Sequence, residues 1–181
     1  MENVKKYVFL DFDGVMVSTE DQNQRKAEKR PLTDKYGRLF SPCAVENLRV
    51  LMEHPGIRLC LITSWAYGDM DLHEVWKDRN MPGKIYHICK GGGADFSSFA
   101  WMSDEDVEEL SPGMMIGKGQ DVKVYLSRVK KPYTYVILDD MKDFYKEQFP
   151  HFIQIDPFKG LTMTDVEKAI TILNDPKLIE A

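Results

Sequence analysis

Asp11 and Asp13, one residue apart and followed by Gly14, stand at the end of an apolar run, Tyr7-Val-Phe-Leu10. A short continuous apolar run reads as a strand buried on both faces, the kind found in parallel sheets. Ligands bind outside the carboxyl ends of such strands. An Asp-x-Asp pair at that place offers a nucleophile, an acid and two metal-binding groups in three residues. Thr63 follows a second apolar run at 57–62, and Asp139-Asp140 follow another at 135–138. Lys118, just upstream of a strand-linking helix, can reach the same edge. Carboxylates gathered without cysteine or histidine suit a hard, oxygen-seeking cation such as Mg2+. The Thr63 hydroxyl and the Lys118 ammonium add donors for phosphate oxygens. A carboxylate can itself attack phosphorus and form an aspartyl-phosphate, with a metal neutralising charge between the two anions.

The elements that must position these groups alternate along the chain. Strands are expected at 7–10, 57–62, 85–89, 135–138 and 152–155. Ser41-Pro42 opens a helix, with Ser as N-cap and Pro at its first position. Ala44, Val45, Leu48 and Leu51 form its stripe, and Pro55-Gly56 closes it. A helix at 71–79 turns Leu72, Val75 and Trp76 inward. Ser103-Asp-Glu-Asp106 reads as a helix start leading into Val107 and Leu110. Lys118-Gly119 precedes a helix with Val122, Tyr125, Leu126 and Val129 on one face. Thr164-x-x-Glu167 reads as a capping box for a last helix striped by Val166, Ile170 and Leu173. Residues 18–34, nearly devoid of large apolar side chains, read as an exposed excursion, a candidate flap within 16–40. The pattern predicts an α/β fold: a three-layer sandwich around a central parallel sheet of about five strands, in one domain over 1–181. Right-handed crossovers put every strand's carboxyl end on one edge. That edge then collects Asp11, Asp13, Thr63 and Asp139.

The chain resembles the haloacid dehalogenase (HAD) superfamily of phosphohydrolases. The resemblance rests on Asp11-Phe-Asp-Gly14, on Thr63 after Leu59-Cys-Leu-Ile62, on Lys118-Gly-Gln-Asp-Val122 and on Asp139-Asp140 after Tyr135-Val-Ile-Leu138, in that order. The wording Thr63-Ser-Trp65 and the tail Asp156-Pro-Phe-Lys-Gly-Leu-Thr162 are similar to small HAD domains, some associated with nucleic-acid repair proteins. The resemblance implies a Rossmannoid fold with a minimal cap or none, and a Mg2+-dependent phosphatase. Asp11 would be the nucleophile, and Asp13 the acid and then the base, its carbonyl also on the metal. Thr63 and Lys118 would hold the phosphoryl group, with Gly14 and Ser64 beside it. The metal would sit on Asp11, Asp13, Asp139 and Asp140, with Asp143 on a bound water. A phosphotransferase sharing the intermediate, and a non-catalytic binding module, are the alternatives.

Each residue also has a plainer reading. Lys123, one helical turn on, competes with Lys118; Ser64 competes with Thr63; Asp140 can cap a following helix. Lys90-Gly-Gly-Gly93 lacks the Gly-Lys-Ser/Thr ending of a phosphate loop and reads as a turn. Arg25, Lys26, Lys29 and Arg30 read as a solvated face. Trp65 is either a stacking platform or packing. Ala66 stands where an arginine is common in similar domains.

The 181 residues carry 24 Lys and Arg against 29 Asp and Glu, a net charge of -5 that gives no global attraction to nucleic acid. No apolar run approaches the roughly 18 residues of a membrane span. Three cysteines, odd in number and widely spaced, give neither a disulfide framework nor a zinc motif. A reducing cytoplasm is the expected compartment. The expected partner is a phosphorylated substrate: a small metabolite, a nucleotide, a nucleic-acid end or a phosphoprotein.

Overall fold

A computed structural model of the protein describes residues 4–90 and 117–181. Five parallel strands form its centre: β1 (Lys5–Leu10), β4 (Ile57–Leu61), β5 (Ile85–Ile88), β6 (Tyr133–Asp139) and β7 (Phe152–Gln154), in the order β5-β4-β1-β6-β7. β1 is central because the chain first winds outward through β4 and β5, then returns to β1's other side. The strand order therefore reverses at β1, the place where open parallel sheets bind ligands.

The alternation of side chains along β1 supplies both faces. Val8 and Leu10 join one core with Leu48, Leu51, Val75 and Val166. Tyr7 and Phe9 join the other with Val122, Leu126 and Phe144. The first face is covered by α2 (Pro42–Met52), α3 (Leu72–Asp78) and α5 (Met163–Asn174); the second by α4 (Lys118–Ser127). Each large apolar side chain buried this way contributes about 1.5–3 kcal/mol.

Several local expectations need correction. Residues 18–34 are not a plain excursion. Ser18 caps a helix, α1 (Thr19–Ala27), and a short hairpin follows, β2 (Thr33–Asp34) with β3 (Gly37–Arg38). α1 lacks an apolar stripe; its first N–H groups reach across to other chain segments, Thr19 to the Pro157 carbonyl and Glu20 to that of Phe158. Arg25 is not on a solvated face. It is buried and donates to Asp21 at 2.6 Å and to the Phe40 carbonyl at 3.4 Å. The last helix is capped two residues earlier than expected: Thr162 and Asp165 form the reciprocal box, and Thr164 and Glu167 do not. Leu161 N–H is tied to the Val15 carbonyl, which ends the preceding turn and makes Thr162 the cap. Ser41 is the N-cap of α2, as expected, but its side chain makes no capping bond. The expectations for Gly91-Gly-Gly93 and for residues 94–116 lie outside the described residues.

Candidate active site

Four strand ends and one helix start converge on one edge of the sheet. Asp11 directly follows β1, and its N–H is held by the Leu138 carbonyl of β6. Past β4, Ile62 N–H bonds the Leu10 carbonyl, bringing Thr63 beside the end of β1. Asp139 is the last residue of β6, and Ile155 N–H, after β7, bonds its carbonyl. Lys118 is the first residue of α4 rather than a residue ahead of it.

Lys118 joins two of these carboxylates. Its Nζ lies 2.7 Å from Asp11 Oδ2 and 2.8 Å from Asp139 Oδ2. Both acids are buried, Asp139 completely. Burial raises the Asp11 carboxyl above its ordinary range, against the opposing pull of the Lys118 ammonium. Burial, then the Asp11 charge, pushes Asp139 up to about 7. Burial disfavours the charge on Lys118, but Asp11 and Asp139 together outweigh it and raise its pKa. Lys123, the competing lysine, faces Glu147 at 3.4 Å and the Tyr145 ring instead.

Oxygen atoms of Asp11, Asp139 and Asp140 all lie within 4.8 Å of one another. These are hard donors, with no sulfur or imidazole among them, and they suit Mg2+. Two further observations fit a cation there. Asp143 Oδ1 is buried and takes no hydrogen bond among the described residues. Gly14 has φ +76°, and a Cβ on it would lie 2.5 Å from Asp140 Cγ. Only glycine lets the Asp140 carboxylate come this close to the turn after β1. Asp140 caps no helix; the next helical turn, Lys146–His151, starts from Tyr145.

Asp13 is not among the three clustered acids. Its Oδ2 accepts the indole N–H of Trp65 at 2.8 Å. Trp65 thus does more than pack or stack, a role that a separation of 52 positions conceals in the sequence. Thr63 is fully buried and its Oγ1 accepts Trp65 N–H at 3.3 Å, whereas Ser64 is exposed. Ala66 is buried, so that position cannot present a cation to solvent. An arginine reaches the same aromatic group from elsewhere: the Arg79 guanidinium lies 5.4 Å from the Trp65 ring centroid and 4.4 Å from that of Phe40. The motif turn is braced from behind, where Gly160, at φ +72°, packs against the Val15 carbonyl. A Cβ there would sit 2.8 Å from that oxygen, which accounts physically for the glycine of the tail.

Among the described residues, no helix is long and apolar enough to cross a membrane. A family model described as the HAD domain in Swiss Army Knife RNA repair proteins matches residues 7–166. No curated protein matches the chain, and no solved structure does.

Proposed function

The chain belongs to the family of HAD domains in Swiss Army Knife RNA repair proteins, and from that membership we propose a Mg2+-dependent phosphatase that hydrolyses a phosphate monoester through an aspartyl-phosphate on Asp11. The observation that carries this reading is the Lys118 ammonium held between Asp11 and Asp139, with Asp140 completing a cluster of oxygen donors. A non-catalytic module has no physical need for two buried, mutually repelling carboxylates around one lysine.

In the proposed reaction an Asp11 oxygen forms a bond to phosphorus as the bond to the leaving oxygen breaks. Asp13 gives that oxygen its proton. Asp13, now a carboxylate, takes a proton from water as the water oxygen attacks phosphorus, which frees Asp11 and inorganic phosphate. Lys118 favours the ionised form of Asp11 against its burial and offers positive charge to the phosphoryl oxygens as they gain charge. The Thr63 hydroxyl and the Gly14 turn contact the phosphoryl group, with Ser64 at the mouth. Asp11, Asp139, Asp140 and the Asp13 carbonyl would hold Mg2+, with Asp143 on its water, and the cation would neutralise charge between nucleophile and phosphate.

The family's description favours the phosphorylated end of an RNA strand as substrate. The first test is hydrolysis of an aryl phosphate with Mg2+ and with chelator, for the native chain and Asp11→Asn. Metal-dependent turnover lost in the variant is expected, and turnover that survives the substitution would sink the mechanism. RNA oligonucleotides with a 3′- or a 5′-phosphate then decide the substrate: release from neither, beside good turnover of nucleotides or phosphopeptides, would move it to another class.

A further inference from the structure

We propose that the groove between α4 and strands β1, β4 and β5 binds the single-stranded nucleic acid running on from the phosphorylated end. The inference rests on the nucleic-acid reading above and adds a second contact surface to it. The groove has a volume of about 430 Å³. Among the described residues, five cations line it, Lys5, Arg58, Lys90, Arg128 and Lys130, against one acid, Asp121. Asp121 is itself engaged, accepting a hydrogen bond from Tyr67 Oη at 2.8 Å. In a chain with a net charge of -5, the described residues thus concentrate positive charge in one strip, the local footprint expected for a polyanion.

Aromatic rings lie among those cations. The Arg58 guanidinium sits 4.9 Å from the Tyr86 ring centroid and 5.6 Å from that of Tyr7, and it donates to Tyr7 Oη at 2.9 Å. His87 stacks on Tyr125 with centroids 4.5 Å apart. Tyr86 remains 55% exposed, so its ring is open to a base. Cations that track a backbone, interleaved with rings on which bases stack, are the recurring parts of single-strand binding. An acidic peptide would use the charges and have little need of the rings.

The groove also lies in the right place. Its inner end is Cys89, whose N–H bonds the Leu61 carbonyl two residues before Thr63, and Asp121, one helical turn after Lys118. Its outer end is Lys5, at the start of β1, with Nζ bonded to the Lys130 carbonyl. A strand whose end lies at Asp11 can therefore run down the sheet face for about the length of β1, roughly 17 Å.

The test is fluorescence anisotropy of a short labelled single-stranded RNA with hydroxyls at both ends, which offers the catalytic edge no phosphomonoester. The native chain is expected to bind it, with log affinity falling linearly in log salt. Lys90→Gln with Arg128→Gln, both exposed, should lower affinity about tenfold at low salt and reduce the slope by about 1.4, that is about 0.7 for each of two phosphate contacts. Tyr86→Ala should weaken binding about fivefold or more. Aryl phosphate turnover should be unchanged in both variants, because neither touches the catalytic edge. Affinity and slope equal to native in both variants would overturn the proposal. So would absence of RNA binding, or equal binding of heparin or an acidic peptide that also ignores Tyr86→Ala. Loss of aryl phosphate turnover in the native chain would instead count against the catalytic reading, so the two failures are separable.

Discussion

The indole N–H of Trp65 donates to Asp13 Oδ2 at 2.8 Å. The same ring meets Phe12 edge-on at 5.4 Å and Phe40 at 5.7 Å, and it lies under the Arg79 guanidinium at 5.4 Å. Arg79 in turn forks onto Asp34 of the hairpin, at 2.7 and 3.0 Å. A continuous set of contacts therefore runs from the hairpin after α1 to the carboxylate assigned as proton donor. In the proposed mechanism Trp65 would act on the reaction through Asp13, as a positioning residue.

Trp65→Phe should keep the ring packing and lose the hydrogen bond. A misplaced proton donor matters most when the leaving oxygen is a poor leaving group. We expect turnover of alkyl phosphates to fall by about 10- to 100-fold, within the range of general acid catalysis. Aryl phosphates with acidic leaving groups should fall much less. Measuring both substrate types for native and variant decides it; an equal loss on each would mean that Trp65 supports the fold or the phosphoryl site rather than the proton donor.

Lys118→Met should remove catalysis and also expose how the buried charges are held. Without the ammonium, Asp11 and Asp139 face one another in a site that water hardly reaches. Breaking a buried ion pair by removing one partner costs about 3–5 kcal/mol. The melting temperature in chelator should drop accordingly. A cation bound at the three acids then becomes the main source of positive charge there, so Mg2+ should raise the variant's melting temperature more than the native chain's. A variant as stable as native in chelator, and indifferent to Mg2+, would contradict this picture of the cluster.

The sequence makes one part of this site legible and hides another. β1, β4 and β6 announce themselves because strands buried on both faces are apolar toward their carboxyl ends, and Asp11, Thr63 and Asp139 stand out where those runs stop. Lys118 and Lys123 cannot be separated by sequence, since both sit in the first turns of one helix. Only the start of α4 at Lys118, opposite Asp11, selects between them. The contacts of Trp65 with Asp13, and of Arg79 with Trp65, join segments far apart in sequence and follow no periodic pattern. α1 carries almost no apolar signal because it is held by a Ser18 cap and the Arg25–Asp21 pair rather than by an amphipathic stripe. Thr162 and Thr164 each precede an acid by three residues, so local spacing alone cannot place the last cap.

Gly14→Ala tests the approach of Asp140. The positive φ alone makes alanine unfavourable by more than about 1 kcal/mol. The new Cβ would also displace the Asp140 carboxylate, which lies 2.5 Å from its position. We expect a lower melting temperature, and activity that needs a higher Mg2+ concentration for half-activation. A destabilised variant with unaltered Mg2+ dependence would mean that Asp140 lies outside the metal's reach.

Stability should fall on the alkaline side of neutrality, and on the acid side two opposed effects meet. On the alkaline side, burial pushes the Cys60 thiol up to about 12, whereas an unfolded thiol titrates near about 8.5. Between those values the unfolded chain has released a proton that the folded chain keeps, so stability is lost as pH rises. Cys89 is raised in the same direction, again by burial first. On the acid side, burial lowers the His151 pKa, outweighing the Tyr135 carbonyl and Glu180, which favour its charge. Below about 6.5 the unfolded histidine takes up a proton first, so stability is lost as pH falls through the folded value. Melting temperature should therefore fall as pH rises above about 8.5, whereas below neutrality the His151 effect is opposed by Asp139, whose folded carboxyl, pushed up to about 7, keeps a proton that the unfolded chain releases near about 3.9. Cys60→Ala should flatten the alkaline limb; comparing slopes cancels the constant cost of the cavity it leaves. In the same protein at neutral pH, a thiol reagent should reach Cys43, which is exposed, and reach Cys60 and Cys89 only after denaturation. An unchanged alkaline slope in Cys60→Ala, or rapid native labelling of all three thiols, would show that this sheet face is open to water.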